Sequence, residues 1–404
     1  MRFLNKKKPK VIDLFSGCGG LNEGFKQAGF LPSVSNDIWA PAGKTFKKNN
    51  KDGEFILGDI TQKKIRDKII KEGKGSKVLV GGPPCQAYSM AGARNVDDPR
   101  GKLFEDYLKI VKAIKPKYFV MENVKGLISM EHDKPRLNVF EKKILSKIKK
   151  LENKKHDLLK KRKISKNTSK VKFYKSDEKL LEEIQEELKI ERKLTSSLRV
   201  KVTDTIKKRF SSFGYDVHIK VLNAADFGVP QKRQRVIIMG GLDGCDVEFP
   251  EPSYREKANG KNLELFKTNF TNWLTVKEAI DDLKNKPEDI TFNHIFTKSG
   301  KDFQKKINKT PIGRTVYGGY SDAYFRCPPN EPSRTVKENH GGVFIHYDKN
   351  RFMTPRELAR LQSFDDKFIF EGSKSQILVQ IGNAVPPKLG HSIARALKEK
   401  LEMF

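Results

Sequence analysis

Residues 78–89 read VLVGGPPCQAYS. An apolar run reaches two glycines, two prolines stop it, and a thiol follows at Cys85. Pro83 and Pro84 cannot donate to a strand ladder and stiffen the loop after them. A cysteine on a stiff loop at a strand end is placed as a nucleophile would be. Free cysteines are more often buried packing residues, but those usually lie inside elements rather than just after Pro-Pro. FVMENVKGL puts Glu122 at the end of another apolar strand. A carboxyl there is partly desolvated, suited to donating a proton or to hydrogen-bonding a ring nitrogen; the alternative is a helix cap with Asn123. QKRQRVIIMG places Gln231, Arg233 and Arg235 at alternate positions, on one face if the segment is a strand. Guanidiniums on one face suit an anionic or carbonyl-rich ligand, and a solvent-facing edge is the plain alternative.

A fourth constellation is DLFSGCGG, a glycine turn that lets a ligand approach the backbone closely. It is neither GxGxxG nor a phosphate-binding loop with Lys-Ser/Thr, which argues against NAD and ATP. Asp37, at the end of the next strand, can hold ribose hydroxyls. The ligand is then an adenosine-bearing molecule without a pyrophosphate to cradle, and S-adenosylmethionine fits. Tight turns alone would explain each glycine separately.

These residues need an architecture that gathers them. Patterning predicts strands at 10–15, 30–35, 54–57, 77–80 and 118–121, alternating with helix-length polar segments such as 21–28. That alternation predicts an α/β fold: an open parallel sheet with helices on both faces, its ligands beyond the carboxyl ends of the strands. Asp37, Asp59, Cys85 and Glu122 all fall at such ends. Strand patterning resumes at 213–222 and 235–239. Residues 141–201 shift to a Lys/Glu-rich composition with helical spacing of Ile144, Ile148, Leu151 and of Leu181, Ile184, Leu188. They predict a charged helical hairpin, either a plain solvated arm or one that grips phosphates. Residues 242–346 are irregular, with scattered aromatics, and 356–404 read as helical with one break at GNAVPP.

The chain has 404 residues with 81 Lys and Arg against 50 Asp and Glu, a formal charge of +31. Such an imbalance favours a polyanionic partner, nucleic acid by default, or else reflects a lysine-biased composition. The four cysteines form no CxxC pair, so neither a metal knuckle nor a disulfide framework is expected. No apolar run is long enough for a membrane span, and the basic N-terminus lacks a signal-peptide core, which predicts a cytoplasmic protein.

Taken in order, DLFSGCGG, GGPPCQAYS, ENV, QKRQR, RFMTPRELARLQSF and QIGNAVPP resemble the DNA cytosine-5 methyltransferases of bacterial restriction–modification systems. The resemblance covers roughly residues 10–127, 215–239 and 319–404. It implies an S-adenosylmethionine-dependent, Rossmann-like methyltransferase sheet with a smaller, loop-rich target-recognition domain. The implied domains are catalytic 1–241 with the arm at 141–201, target recognition 242–355, and a returning segment 356–404. Phe15, Ser16, Gly17 and Gly19 would line the methionine side of S-adenosylmethionine. Asp37 would hold its ribose, Ile38 or Trp39 would lie against the adenine, and Asp59 would bind the adenine amino group. Asn383 and Val385 would close the pocket. Cys85 would be the nucleophile, Glu122 the group on the cytosine N3/N4 edge, and Arg235, helped by Arg233, the contact to O2. The base would be flipped from the duplex, with residues 89–100 closing over it. Gln86, Ser89, Arg94 and Arg100 would touch DNA; Arg326 and Arg334 could reach guanine edges or phosphates, with plain surface as the alternative for each. The family usually has phenylalanine where Tyr88 stands, a mild departure.

The resemblance also implies duplex DNA as partner, no metal, a monomer that is nucleoid-associated when on DNA, and a cognate endonuclease or an orphan epigenetic role. Two rival readings remain at this point: a tRNA cytosine-5 methyltransferase, whose Cys-Phe-Thr signature is not found, and an inactive DNA-binding regulator.

Overall fold

The computed structural model describes residues 8–84, 102–134, 138–167, 171–256, 270–318, 324–337 and 344–403. Five strands run parallel: β1 (Lys10–Leu14), β2 (Leu31–Asp37), β3 (Glu54–Leu57), β4 (Val78–Gly81) and β5 (Tyr118–Val124). Their connections carry α1 (Gly20–Gln27), α2 (Ala40–Asn49), α3 (Lys63–Glu72) and α4 (Lys102–Ile114). Beyond Lys10 every residue of β1 and β4 is buried, as strands covered on both faces must be.

Contacts divide the chain into two units. The second, within Ile128–Ile206, pairs β6 (Glu131–Asp133) with β7 (Arg199–Lys201). It also holds the charged hairpin, α5 (Val139–Asn167) and α6 (Lys175–Leu194). α5 ends at Asn167 and α6 begins at Lys175.

The first unit resumes in α7 (Val202–Ser211), β8 (Tyr215–Asn223) and β9 (Gln234–Leu242). The seven-stranded order is β3-β2-β1-β4-β5-β9-β8. β9 is antiparallel to both neighbours, so the sheet is mostly parallel rather than parallel throughout. The connection from β8 to β9 is too short to cross back over the sheet, so β9 must return alongside. The middle of the chain is largely irregular, with α8 (Val276–Ile280) and α9 (Lys301–Lys309) among its few helices.

The C-terminal part forms α10 (Pro355–Leu361), α11 (Lys374–Asn383) and α12 (Pro387–Glu402). It has two breaks rather than the one expected. Phe364, Phe368 and Phe370 fold into a buried aromatic cluster between α10 and α11. α12 packs on α1, and both join the core of the sheet through Leu21, Phe25, Leu389, Ile393 and Leu397. The helices meet at Gly24, where an added Cβ would lie 2.3 Å from the Pro387 carbonyl oxygen. Gly24→Ala is therefore expected to destabilise the protein by about 1–3 kcal/mol through overpacking. Thermal denaturation checks this, and an unchanged melting temperature would contradict the close packing. Among the described residues, no helix is long and apolar enough to cross a membrane.

Candidate active site

β1 ends at a residue under backbone constraint. Phe15 sits at φ 56°, a left-handed conformation uncommon for a bulky residue. Gly17 and Gly19 follow at φ 53° and 94°, where a side chain would add strain. A Cβ built on Gly17 meets nothing within 4 Å, so the turn faces open space. The Ser16 N–H and hydroxyl both donate to the Asn36 carbonyl oxygen, at 3.0 and 3.3 Å, tying the turn to β2.

Asp37 completes that tie. Its Oδ2 accepts from the Gly17 N–H at 2.8 Å and its Oδ1 from the Trp39 N–H at 2.9 Å. Burial pushes its carboxyl above the ordinary value, against these hydrogen bonds, which favour the anion. Ile38 is 69% exposed and Leu57, at the end of β3, 50% exposed. Two bare apolar side chains at neighbouring strand ends offer a surface for a flat ring. Leu57 went unnoticed in the sequence because it reads as one more strand residue. Trp39 is half-buried, and Asp59, also half-buried, accepts from the Thr61 N–H at 2.8 Å. Asn36 holds β3 in place by donating to the Ile56 and Gly58 carbonyl oxygens, at 2.8 and 3.0 Å.

The segment containing Asn383 and Val385 lies against the same turn. A Cβ on Gly20 would sit 2.4 Å from the Val385 carbonyl oxygen. Asn383 is exposed at the end of α11. Arg233 fixes this strap, and here the sequence expectation needs correcting. Arg233 is buried, donating from Nη1 to the Val336 carbonyl at 2.7 Å and from Nη2 to those of Gly382 and Ala384 at 3.0 and 3.1 Å. Burial, with Arg235 nearby, pulls its guanidinium down to about 9. Both its terminal nitrogens donate to backbone and the side chain is buried, so it positions Asn383 and Val385 rather than contacting a base. Gln231 is likewise buried, donating to Leu361 O and Gln362 Oε1 and accepting from the Val336 N–H. Of Gln231, Arg233 and Arg235 only Arg235 falls within β9, so the three share no strand face.

Arg235 is the second residue of β9. Because β9 is antiparallel, its first residues stand beside the carboxyl end of β5, with Arg235 opposite Val124. Arg235 Nε lies 2.7 Å from Glu122 Oε1, and the two side chains are 12% and 14% exposed. A parallel β9 would have carried the arginine to the far edge. Glu122 Oε2 in turn lies over Gly82, 3.1 Å from where a Cβ would be. Asn123 donates from Nδ2 to the Pro83 carbonyl at 2.8 Å. Its partner is thus the Pro-Pro segment, not a helix end. The ends of β4 and β5 are joined just where the chain enters Cys85.

Cys85, Gln86, Ser89, Arg94 and Arg100 lie outside the described residues. Arg326 is a second correction. It is buried and donates to the carbonyls of Thr310, Ile307, His346 and Lys349 and to Asn350 Oδ1. An arginine so committed braces the irregular region and does not reach DNA. Arg334 is exposed, its guanidinium 3.8 Å from the centre of the Phe325 ring.

Asp13 was passed over in the sequence. It is fully buried within β1, its carboxyl raised well above the ordinary value by burial and by Asp37. The signal was present, a carboxylate inside the apolar run VIDLF.

A parallel sheet with an open glycine turn after β1 and acidic groups after β2 and β3 defines an S-adenosylmethionine-dependent methyltransferase fold. The pocket suits that molecule: an open face at Gly17, a carboxylate at Asp37 and apolar Ile38 and Leu57 beside it. Comparison with known proteins specifies the class. Residues 9–160 and 191–399 match the family described as C-5 cytosine-specific DNA methylase. The type II methyltransferase M1.HphI of Haemophilus parahaemolyticus is 33% identical over 395 residues, covering 96% of this chain and 86% of that protein. The type II methyltransferase M.NgoFVII of Neisseria gonorrhoeae is 32% identical over 409 residues, covering 97% and 87%. Among solved structures, a putative DNA modification methyltransferase from an Escherichia coli prophage superposes with a TM-score of 0.63 at 21% identity, covering 98% of this chain and all of that one. The chain belongs to the C-5 cytosine-specific DNA methylases. It is a DNA (cytosine-5-)-methyltransferase, with S-adenosylmethionine as the family's methyl donor.

Asp37→Ala is expected to raise KM for S-adenosylmethionine roughly tenfold or more, since it removes the carboxylate expected to hold the ribose together with the Gly17 anchor. Steady-state kinetics at saturating DNA checks this. An unchanged KM would contradict the pocket.

Proposed function

We propose that Cys85, Glu122 and Arg235 carry methyl transfer to C5 of a cytosine flipped out of duplex DNA. C5 of cytosine is too weak a nucleophile to take a methyl group unaided. Addition of the Cys85 thiolate to C6 makes C5 enamine-like. Glu122, hydrogen-bonded at N3 and N4, and Arg235 at O2 stabilise the charge that builds on the ring. Bound S-adenosylmethionine supplies an electrophilic methyl group on a sulfonium. Loss of the C5 proton and elimination of Cys85 then restore the aromatic ring. Phe15, Ser16, Gly17, Gly19, Asp37, Ile38, Trp39, Asp59, Asn383 and Val385 form the cosubstrate pocket, and the chemistry needs no metal.

The observation that carries this reading is the Glu122–Arg235 pair, set over Gly82 beside an Asn123–Pro83 bond that anchors the entry to Cys85. We assign 1–241 to the catalytic domain with its arm at 141–201, 242–355 to target recognition, and 356–404 to the returning segment. Gln86, Ser89, Arg94, Arg100 and Arg334 are the DNA contacts of this reading. The protein acts as a cytoplasmic monomer, nucleoid-associated on DNA. It serves with an endonuclease reading the same site, as the type II names of its relatives suggest, or as an orphan.

The test is incubation with S-adenosylmethionine and either duplex DNA or bulk tRNA, followed by digestion and nucleoside identification by mass. 5-Methyldeoxycytidine from DNA is the expected product. Methylcytidine from tRNA alone would overturn the substrate, and DNA binding without methylation would overturn the chemistry.

A further inference from the structure

The hairpin of α5 and α6 takes no part in the chemistry above. The family match omits residues 161–190, which include the end of α5 and most of α6. Its charges are unevenly divided. α5 carries twelve basic residues against three acidic ones, and α6 five against seven. The two helices share an apolar seam of Leu145, Ile148, Leu158, Leu181, Ile184 and Leu188.

Along that seam some cations of α5 are neutralised. Lys147 lies 2.9 and 2.7 Å from Glu187 and Glu191, Lys161 lies 2.7 Å from Asp177, and Arg162 lies 3.1 Å from Glu178. Asp177, Glu178, Glu187 and Glu191 of α6 are used in this pairing. It leaves Lys142, Lys143, Lys150, Lys154 and Lys160, all exposed on the rest of α5, with Asp157 the one exposed carboxylate described on that helix. A solvated arm built only for solubility would interleave both signs on its outer surface. This one does so only on α6, where Glu182, Glu183 and Glu186 are exposed among Lys175, Lys179 and Lys189, whereas the exposed charges of α5 are nearly all cationic. At 29 residues α5 is about 44 Å long, more than one helical turn of duplex.

The charge division points to α5 as a phosphate-binding surface: we infer that Lys142, Lys143, Lys150, Lys154 and Lys160 hold the backbone of duplex DNA. The inference rests on the assignment of duplex DNA as substrate and adds a contact that base chemistry does not require. Lysines that neutralise phosphates release counterions, so their contribution appears in the salt dependence of binding and is independent of sequence.

The experiment compares the full-length protein with a variant carrying all five Lys→Gln changes. Glutamine keeps helix propensity close to that of lysine, and circular dichroism verifies the hairpin. Affinity for a duplex several turns long is measured between about 50 and about 200 mM salt. The expected result is a plot of log affinity against log salt shallower by about 2–3, with binding weakened roughly tenfold or more near physiological salt. A matching set of Lys→Arg changes is expected to keep the original slope. Equal slopes for the wild type and the glutamine variant would overturn the inference, as would equal losses in the glutamine and arginine variants. 5-Methyldeoxycytidine formation at low salt and saturating DNA is read in parallel. Its absence from wild type counts against the active-site assignment, whereas its presence in both proteins with equal slopes counts against the arm alone.

Discussion

Cys85→Ala is expected to lower methyl transfer by roughly 10⁴-fold or more while leaving DNA binding within a few-fold of wild type. No other described thiol can replace it. Cys18 is buried, its Sγ 3.8 Å from the Gln380 carbonyl oxygen, and burial pushes its thiol up to about 12. Cys327 is equally buried and its thiol is raised further by the same cause. Cys245 lies in the turn after β9, at the edge where β5 begins and away from Glu122. The loss should therefore be in kcat rather than in affinity. Single-turnover methylation with tritiated S-adenosylmethionine checks it, and activity within tenfold of wild type would remove Cys85 from the chemistry.

The second large effect is expected at Glu122. Glu122→Gln keeps size and hydrogen-bonding capacity but removes the charge that Arg235 faces at 2.7 Å. Both side chains are mostly shielded, so the guanidinium is left without its counter-charge. The amide can still reach a ring nitrogen but cannot exchange a proton with it. We expect kcat to fall about 10²–10³-fold, equivalent to about 3–4 kcal/mol of transition-state stabilisation. Arg235→Ala should fall by a similar factor, and the double variant should lose far less than the product of the two, because the groups act as a pair. Additive losses would show that the ion pair is not the working unit.

The parallel half of the sheet was legible because each strand reads as a short apolar run ending in Gly, Pro, Asp or Asn. The glycine turn and Asp37 were legible as a strand-end pair, and Glu122 as a carboxyl ending an apolar strand. What the sequence concealed depends on partners distant along the chain. Arg233 and Arg235 are two residues apart and identical in type, yet one staples the carbonyls of Val336, Gly382 and Ala384 while the other faces Glu122. No local pattern distinguishes them, since the difference arises from where α11 and β5 end. Arg326 misled for the same reason, its donors filled by carbonyls from Ile307 to Lys349. The antiparallel direction of β9 follows from a short connection that reads as a loop in either topology. Asn123 suggested a helix cap because its actual acceptor, Pro83 O, lies forty residues away.

A trapping measurement tests directly whether Cys85 attacks the cytosine ring. Duplex DNA synthesised with 5-fluorodeoxycytidine at its cytosines is incubated with the protein and S-adenosylmethionine, then denatured and digested for mass analysis. Fluorine at C5 cannot depart as the proton does, so a thiolate added to C6 stays attached. The expected product is a covalent DNA adduct on the peptide containing Cys85, absent from Cys85→Ala. Methylation of ordinary DNA with no trapped adduct, or an adduct on another cysteine, would contradict attack by Cys85.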